Sequence, residues 1–160
     1  MRKYPSTIKF VLDNEIHEVD FSKSRIKPTT TLLNYLRQIP GRKGLKEGCA
    51  EGDCGACTVV LAQLDNRGNM EYKSVDSCLV FLPMVYGKQI ITVEDLALKN
   101  GRQKKLHPVQ EAMINSDGSQ CGYCTPGIVM SLFALYKKNS APDKETISDG
   151  LTGNLCRCTG

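Results

Sequence analysis

Apolar and polar residues alternate from the start of the chain: Ile8, Phe10 and Leu12 are followed, beyond Asp13-Asn14, by Ile16, Val19 and Phe21. A period of two around a turn-forming pair predicts a β-hairpin, and the slip in spacing between Ile16 and Val19 suggests a bulge. In TTTLLNYLRQIPG the period lengthens. Leu32, Leu33 and Leu36 fall on one helical face, and Pro40-Gly41 ends the segment. TVVLAQL (58–64) and MEYKSV (70–75) predict strands flanking a turn at Asn66 to Asn69, and QIITV (89–93) a last short strand. The first half therefore reads as α+β.

Past residue 92 strand alternation fades and helix starts recur. Thr92-Val93-Glu94-Asp95 has the form of a capping box, and His107-Pro108 and Thr125-Pro126 each place proline at a first helical position. The strongest helix is PGIVMSLFALYKKN, with Ile128, Val129, Leu132, Phe133 and Tyr136 on one face and Lys137 and Lys138 at its negative end. Ile147 and Leu151 predict a short helix before Gly153. At 160 residues the chain suits one compact domain or two small ones, each with its own apolar centre. The change of period favours two, 1–88 and 89–160, with the boundary inside residues 84–94.

Composition alters this picture at one point. A hydrophobic share of 41% and a charged share of 24% are ordinary, whereas eight cysteines are far above ordinary use. The N-terminal MRKYPSTIKFVLDNEIHEVDF lacks the apolar core of a secretory signal, and the near-apolar run Ile128–Tyr136 is too short to span a bilayer. A soluble, cytoplasmic protein is expected, in a compartment where clustered thiols argue for metal or redox chemistry over disulfides. The net charge of +4 is modest. Its basic stretches GRKGLKEG (41–48) and KNGRQKK (99–105) read as solvated loops, without the interleaved aromatics that nucleic-acid stacking uses.

The thiols form two sets. Cys49-x4-Cys54-x2-Cys57, with Cys78 after twenty intervening residues, has the spacing of a plant-type 2Fe-2S ferredoxin, in which one loop supplies three thiolates and a distant residue the fourth. Such a cluster is anionic, so backbone N–H groups must converge on its sulfurs. Gly48, Gly52 and Gly55 interleave the thiols and permit the positive φ this needs. Glu51 and Asp53 are expected to point outward. The second set is Cys121-x2-Cys124 and, after thirty-one residues, Cys156-x-Cys158. The two pairs close one four-thiolate site if the two C-terminal helices pack antiparallel and return the chain to its start. Zinc also accepts four thiolates, but its usual pairs are C-x2-4-C, which C-x-C fits poorly. A disulfide framework is not excluded by counting, although no export signal supports one. Cys78 alone could be a buried small hydrophobe; the upstream triplet makes it a ligand candidate.

KEGCAEGDCGACTV (46–59), SCLVFLP (77–83), LHPVQEAM (106–113), GSQCGYCTPGIVMSL (118–132) and LTGNLCRCTG (151–160) resemble the iron-sulfur subunit or domain of the molybdenum hydroxylases, the family of xanthine dehydrogenase and aldehyde oxidase. The wording is most similar to the small subunit of bacterial xanthine dehydrogenases. The resemblance implies an N-terminal β-grasp, ferredoxin-like domain with one 2Fe-2S cluster and a C-terminal helical bundle with the other. It also implies a molybdopterin-binding large subunit and an FAD-binding subunit or domain as partners, with electrons passing from molybdenum through both clusters towards flavin. By position, Gln120 corresponds to the family glutamine that hydrogen-bonds the pterin, and Cys158 to the ligand that approaches it. One departure is that many members run on from C-R-C-T-G into a tail and a flavin domain, whereas this sequence ends at Gly160.

No dinucleotide, P-loop or H-E-x-x-H pattern is present, so no substrate chemistry is expected of the chain itself. His17 reads as a strand residue, His107 as a helix cap, and Tyr123 as a packing residue at a partner interface. The competing functions are an electron-transfer component of a purine, aldehyde, carbon monoxide or N-heterocycle hydroxylase, an independent ferredoxin, and a zinc-stabilised interaction module. No nucleic acid and no membrane is expected among the partners.

Overall fold

The computed structural model describes residues 6–100, 103–139 and 141–159. Strands β1 (Thr7–Leu12) and β2 (Glu15–Asp20) form the opening hairpin, and Asp13 and Asn14 both adopt positive φ, 52° and 62°, as a two-residue turn demands. The pairing runs one to one from Thr7↔Asp20 to Leu12↔Glu15, so the bulge expected at Ile16–Val19 is absent. Ile16 instead points to solvent, 76% exposed, while His17 takes the inward position opposite Phe10 and stacks on its ring at 5.7 Å. The apolar face holds because the imidazole supplies the missing hydrophobic surface.

Helix α1 (Leu32–Gln38) starts at Thr31, whose side chain accepts from the Asn34 N–H, and buries Leu32, Leu33 and Leu36 as the pattern requires. Strands β3 (Thr58–Leu64), β4 (Met70–Asp76) and β5 (Gln89–Ile91) complete a mixed sheet in the order β2-β1-β5-β3-β4, in which β1 and β5 are parallel and the other neighbours antiparallel. β5 thus lies inside the sheet, although it follows residue 88, where the first of the two expected units ends. Residues 82–85 and 93–95 form single 3-10 turns. The capping box at Thr92 is present, with reciprocal bonds between Thr92 and Asp95, yet it opens only this turn and no longer helix.

The sheet has two apolar faces. Phe10, Leu12, Val59, Leu61 and Ile90 pack on α1, while Val60, Ala62 and Ile91 pack against helices α2 (Pro108–Asn115) and α3 (Thr125–Lys138). β3 is therefore buried on both sides, which is why TVVLAQL reads as an almost unbroken apolar run. The second apolar centre is shared between sheet and helices. This shifts the buried face of α3: Gly127, Met130, Ser131 and Ala134 join Val129 and Phe133, whereas Ile128 and Leu132 are half-buried and Tyr136 is exposed. A helix laid across a sheet and flanked by other helices buries a wider arc than one amphipathic stripe.

Two basic stretches depart from the solvated loops expected. Arg42 is buried: its guanidinium donates to Thr92 Oγ1 at 2.7 Å and Asp95 Oδ2 at 2.9 Å, and lies 3.8 Å from Asp13. Burial opposes its charge, but the hydrogen bond and charge of Asp95 outweigh burial, and its pKa is raised. The second stretch belongs to a hairpin, β6 (Leu98–Asn100) with β7 (Gln103–Lys105), whose connecting Gly101-Arg102 lies outside the described residues.

His107 caps α2 as the sequence predicts. Its Nδ1 accepts from the Val109 N–H at 3.3 Å, and Gln110 Oε1 accepts from the His107 N–H at 3.0 Å. The ring packs edge-on to Phe133 and Tyr136, with centroids 5.1 and 5.2 Å away. Burial, and then the charge of Lys137, push its pKa below the ordinary 6.5. The unfolded chain therefore takes up this proton first. The cap's contribution is complete above about pH 6.5 and is lost as pH falls through the folded pKa. Thermal midpoints measured between pH 7.5 and 5.5 should fall more for the native chain than for His107→Asn, which caps without titrating. Equal slopes would disprove the assignment.

Candidate metal centres

The first set of thiols sits on the loop between α1 and β3. Cys49 is held in a tight turn where Ala50 and Gly52 have φ of 59° and 85°, and the Glu51 and Asp53 N–H groups donate to its sulfur at 3.5 and 3.3 Å. Their carboxylates are exposed, as expected; what they bring to the site is backbone amide. The three glycines act differently. Gly52 and Gly55 use positive φ, whereas Gly48 is needed for space, since a Cβ there would lie 2.8 Å from Cys54 Sγ. Cys57, at the end of the loop, and Cys78, just past β4, are both buried. The hydroxyl of Ser77 donates to the Cys57 carbonyl at 2.7 Å and ties the two segments together.

The second set lies at helix ends. Cys124 is the N-cap residue of α3, and Cys156 and Cys158 follow helix α4 (Lys144–Leu151). α4 packs back along α3, with Gly150 beside Leu135 and Asn154 beside Gly127. The antiparallel return expected from the sequence is present. Thr159 donates its N–H to Cys156 Sγ at 3.3 Å, and its hydroxyl lies 2.9 Å from the same sulfur.

Within each set the thiols perturb one another: Cys49 is influenced by Cys54 and Cys57 by Cys78, while Cys124 is influenced by Cys156 and Cys121, and Cys158 by Cys121 and Cys156. Among the described residues no three thiol, imidazole or carboxylate side chains gather closely enough for a single ion. Four thiolates shared between two irons is the donor set of a 2Fe-2S cluster, and each set offers four. The electrostatics are compatible with such a guest. Hydrogen bonds from the Glu51 amide and then Cys54 lower the Cys49 pKa to about 7, and those from Thr159 lower Cys156 to about 7. Burial raises Cys57 to about 12 and Cys124 to about 11, and the hydrogen bond to Cys121 raises Cys158. A thiol that burial holds protonated, as at Cys57, becomes a thiolate only beside compensating positive charge, which bound metal would supply. Asp76, with its pKa raised by burial, accepts from Cys57 Sγ at 3.7 Å, a neighbour that no spacing along the chain announces.

The two sets adjoin. The Leu155 N–H donates to the Cys54 carbonyl at 3.0 Å, Asn154 Nδ2 to the Gly55 carbonyl at 3.1 Å, and the Tyr123 hydroxyl to the Glu47 carbonyl. Tyr123 thus packs across the chain's own two sets. Gln120 is exposed next to Cys121, and Cys158 is exposed as well.

Comparisons with known proteins agree with this geometry. The family model of a "2Fe-2S iron-sulfur cluster binding domain" matches residues 18–82, and that of a "[2Fe-2S] binding domain" matches residues 92–160. Xanthine dehydrogenase of Blastobotrys adeninivorans is 50% identical over 135 residues, covering 83% of this chain and 9% of that protein. The Emericella nidulans xanthine dehydrogenase is 43% identical over 159 residues, 99% of this chain and 11% of its own length. Quinoline 2-oxidoreductase from Pseudomonas putida 86 superposes with a TM-score of 0.77 at 29% identity, covering 96% of this chain and 84% of that one. Aldehyde oxidoreductase from Desulfovibrio gigas gives 0.77 at 31% identity, covering 95% and 15%. The fold and the two thiol sets define an α+β protein with two successive 2Fe-2S binding domains. The chain belongs to the molybdenum hydroxylase family, as its 2Fe-2S portion, and spans about a tenth of the length of the curated relatives it matches.

Proposed function

We propose that this chain is the electron-transfer component of a xanthine dehydrogenase-like molybdenum hydroxylase. In this reading Cys49, Cys54, Cys57 and Cys78 hold one 2Fe-2S cluster on a β-grasp, ferredoxin-like unit. Cys121, Cys124, Cys156 and Cys158 hold the other on a small helical bundle. The natural division falls after β5, since that strand is paired within the sheet. The observation that carries the reading is the set of backbone amides directed at Cys49 and Cys156, in a chain whose two halves each match a 2Fe-2S binding domain. Each cluster, when bound, takes up and releases one electron. The chain's own residues fix the sulfurs, aim the Glu51, Asp53 and Thr159 amides at them, and keep Cys57 and Cys78 out of water.

Gln120 and Cys158, both exposed beside the second set, are suited to face a molybdopterin-binding partner, and the first set would lie towards FAD. The names of the relatives favour xanthine, with aldehydes and quinoline-like heterocycles as alternatives. No described helix is long and apolar enough to cross a membrane, and a cytoplasmic site of action is in keeping with that. Neither nucleic acid nor membrane is among the proposed partners. A zinc-held module would require four sulfurs around one ion. Iron and sulfide analysis separates the two: about four irons and four sulfides per chain, with signals from two centres on dithionite reduction, are expected. Colourless protein loaded with zinc would refute the reading.

A further inference from the structure

We propose that Asn154 is the positioning residue that holds the two thiol sets at a fixed separation and orientation. The inference rests on the electron-transfer reading above and goes beyond it by assigning the junction to one side chain. Asn154 stands between the end of α4 and Cys156, and its own N–H donates to the Leu151 carbonyl at 2.9 Å, so its backbone moves with the helical part. Its side chain belongs to the other part. Nδ2 donates to the Gly55 carbonyl at 3.1 Å and lies 3.4 Å from Thr58 Oγ1, which itself donates to the Gly55 carbonyl at 2.7 Å. Gly55 lies between Cys54 and Cys57, and Gly127 in the first turn of α3 touches it so closely that a Cβ on Gly127 would be 2.0 Å from the Gly55 oxygen. Three backbones meet there, and Asn154 is the side chain that bridges them.

A carboxamide suits this place because the buried Gly55 carbonyl, enclosed by α3 and the segment after α4, needs a neutral donor. Aspartate has the same shape but would set a carboxylate against a carbonyl oxygen; alanine leaves the acceptor with one partner fewer. Either change loosens the adjacent contact, the Leu155 N–H on the Cys54 carbonyl, which joins a residue of the first set to the neighbour of Cys156. Electronic coupling between two centres falls steeply with separation. Freedom at this junction therefore weakens electron exchange without removing any ligand.

The test uses the whole chain with both centres loaded, comparing the native protein with Asn154→Asp, Asn154→Ala and Thr58→Val. The native protein must first show about four irons and two reduced signals; failure there refutes the functional reading and not this inference alone. Asn154→Asp and Asn154→Ala are expected to keep all the iron and the g-values of each centre. They should lose the magnetic splitting between the two reduced centres and raise deuterium exchange at the Leu155 amide roughly tenfold. Thr58→Val, which keeps the Asn154–Gly55 bond, should retain the splitting. A merely structural role would lower iron content or thermal midpoint with the splitting intact in the loaded fraction, and that result overturns the proposal. So does unchanged splitting and exchange in fully loaded Asn154 variants; and if neither Asn154 variant holds both clusters, the residue is a folding determinant and the proposal is likewise overturned.

Discussion

Replacing Cys156 with alanine is expected to halve the iron of the chain, from about four atoms to about two, and to leave the signal of the first set in place. Cys156 is close enough to Cys124 to perturb it, accepts the Thr159 N–H and lies 2.9 Å from the Thr159 hydroxyl. In the proposed reading its loss removes one of the four thiolates of the second set and leaves the Thr159 N–H without its sulfur partner. Alanine is the right replacement because a serine hydroxyl could still bind metal. The first set should survive: its thiols come from the loop before β3 and from Cys78, and its apolar support is the Phe10, Leu33 and Leu36 side of the sheet. Iron analysis and EPR after dithionite reduction read the outcome. Loss of both signals together would mean that the two sets assemble as one unit and that the proposed division is wrong.

Gly127→Ala carries the second large effect. The added methyl would sit 2.0 Å from the Gly55 oxygen and 3.1 Å from its carbonyl carbon, so backbone meets backbone and no flexible side chain can yield. Overpacking of this kind costs about 3 kcal/mol, equivalent to a fall of roughly 6–12 °C in thermal midpoint for a chain of this size. Alanine is otherwise the better helix former by about 1 kcal/mol, so the sign is a clean test of the close approach. A midpoint that rises would show that α3 does not lie on the Cys54–Cys57 loop. Because Gly55 separates two candidate ligands, the displacement should also disturb the first set, in contrast to Cys156→Ala.

Much of this site was legible along the chain because its chemistry is local. Cys49, Cys54 and Cys57 share one loop whose spacing sets three donors, and Gly52 and Gly55 take the positive φ that the pattern asked for. His107 caps a helix, as its place before Pro108 foretold. Other features escaped for physical reasons. Period-two alternation does not report which of two faces will be covered, so the apolar Ile16 ends up exposed while His17 fills the position opposite Phe10. A cluster of basic residues carries no mark of the buried carboxylate that will meet one of them, as Asp95 meets Arg42. One signal was available and unused: a glycine in the first turn of a strong helix is costly unless something must come close.

Ligand spacing, element types and the count of thiols are properties of short segments, and linear order was enough to establish them. Which thiol lies near which, the placement of β5 between β1 and β3, and the contact of Gly55, Gly127 and Asn154 depend on segments up to 99 residues apart. Such contacts are chosen by the shared burial of both sheet faces, a sum over the whole chain that no window of sequence contains.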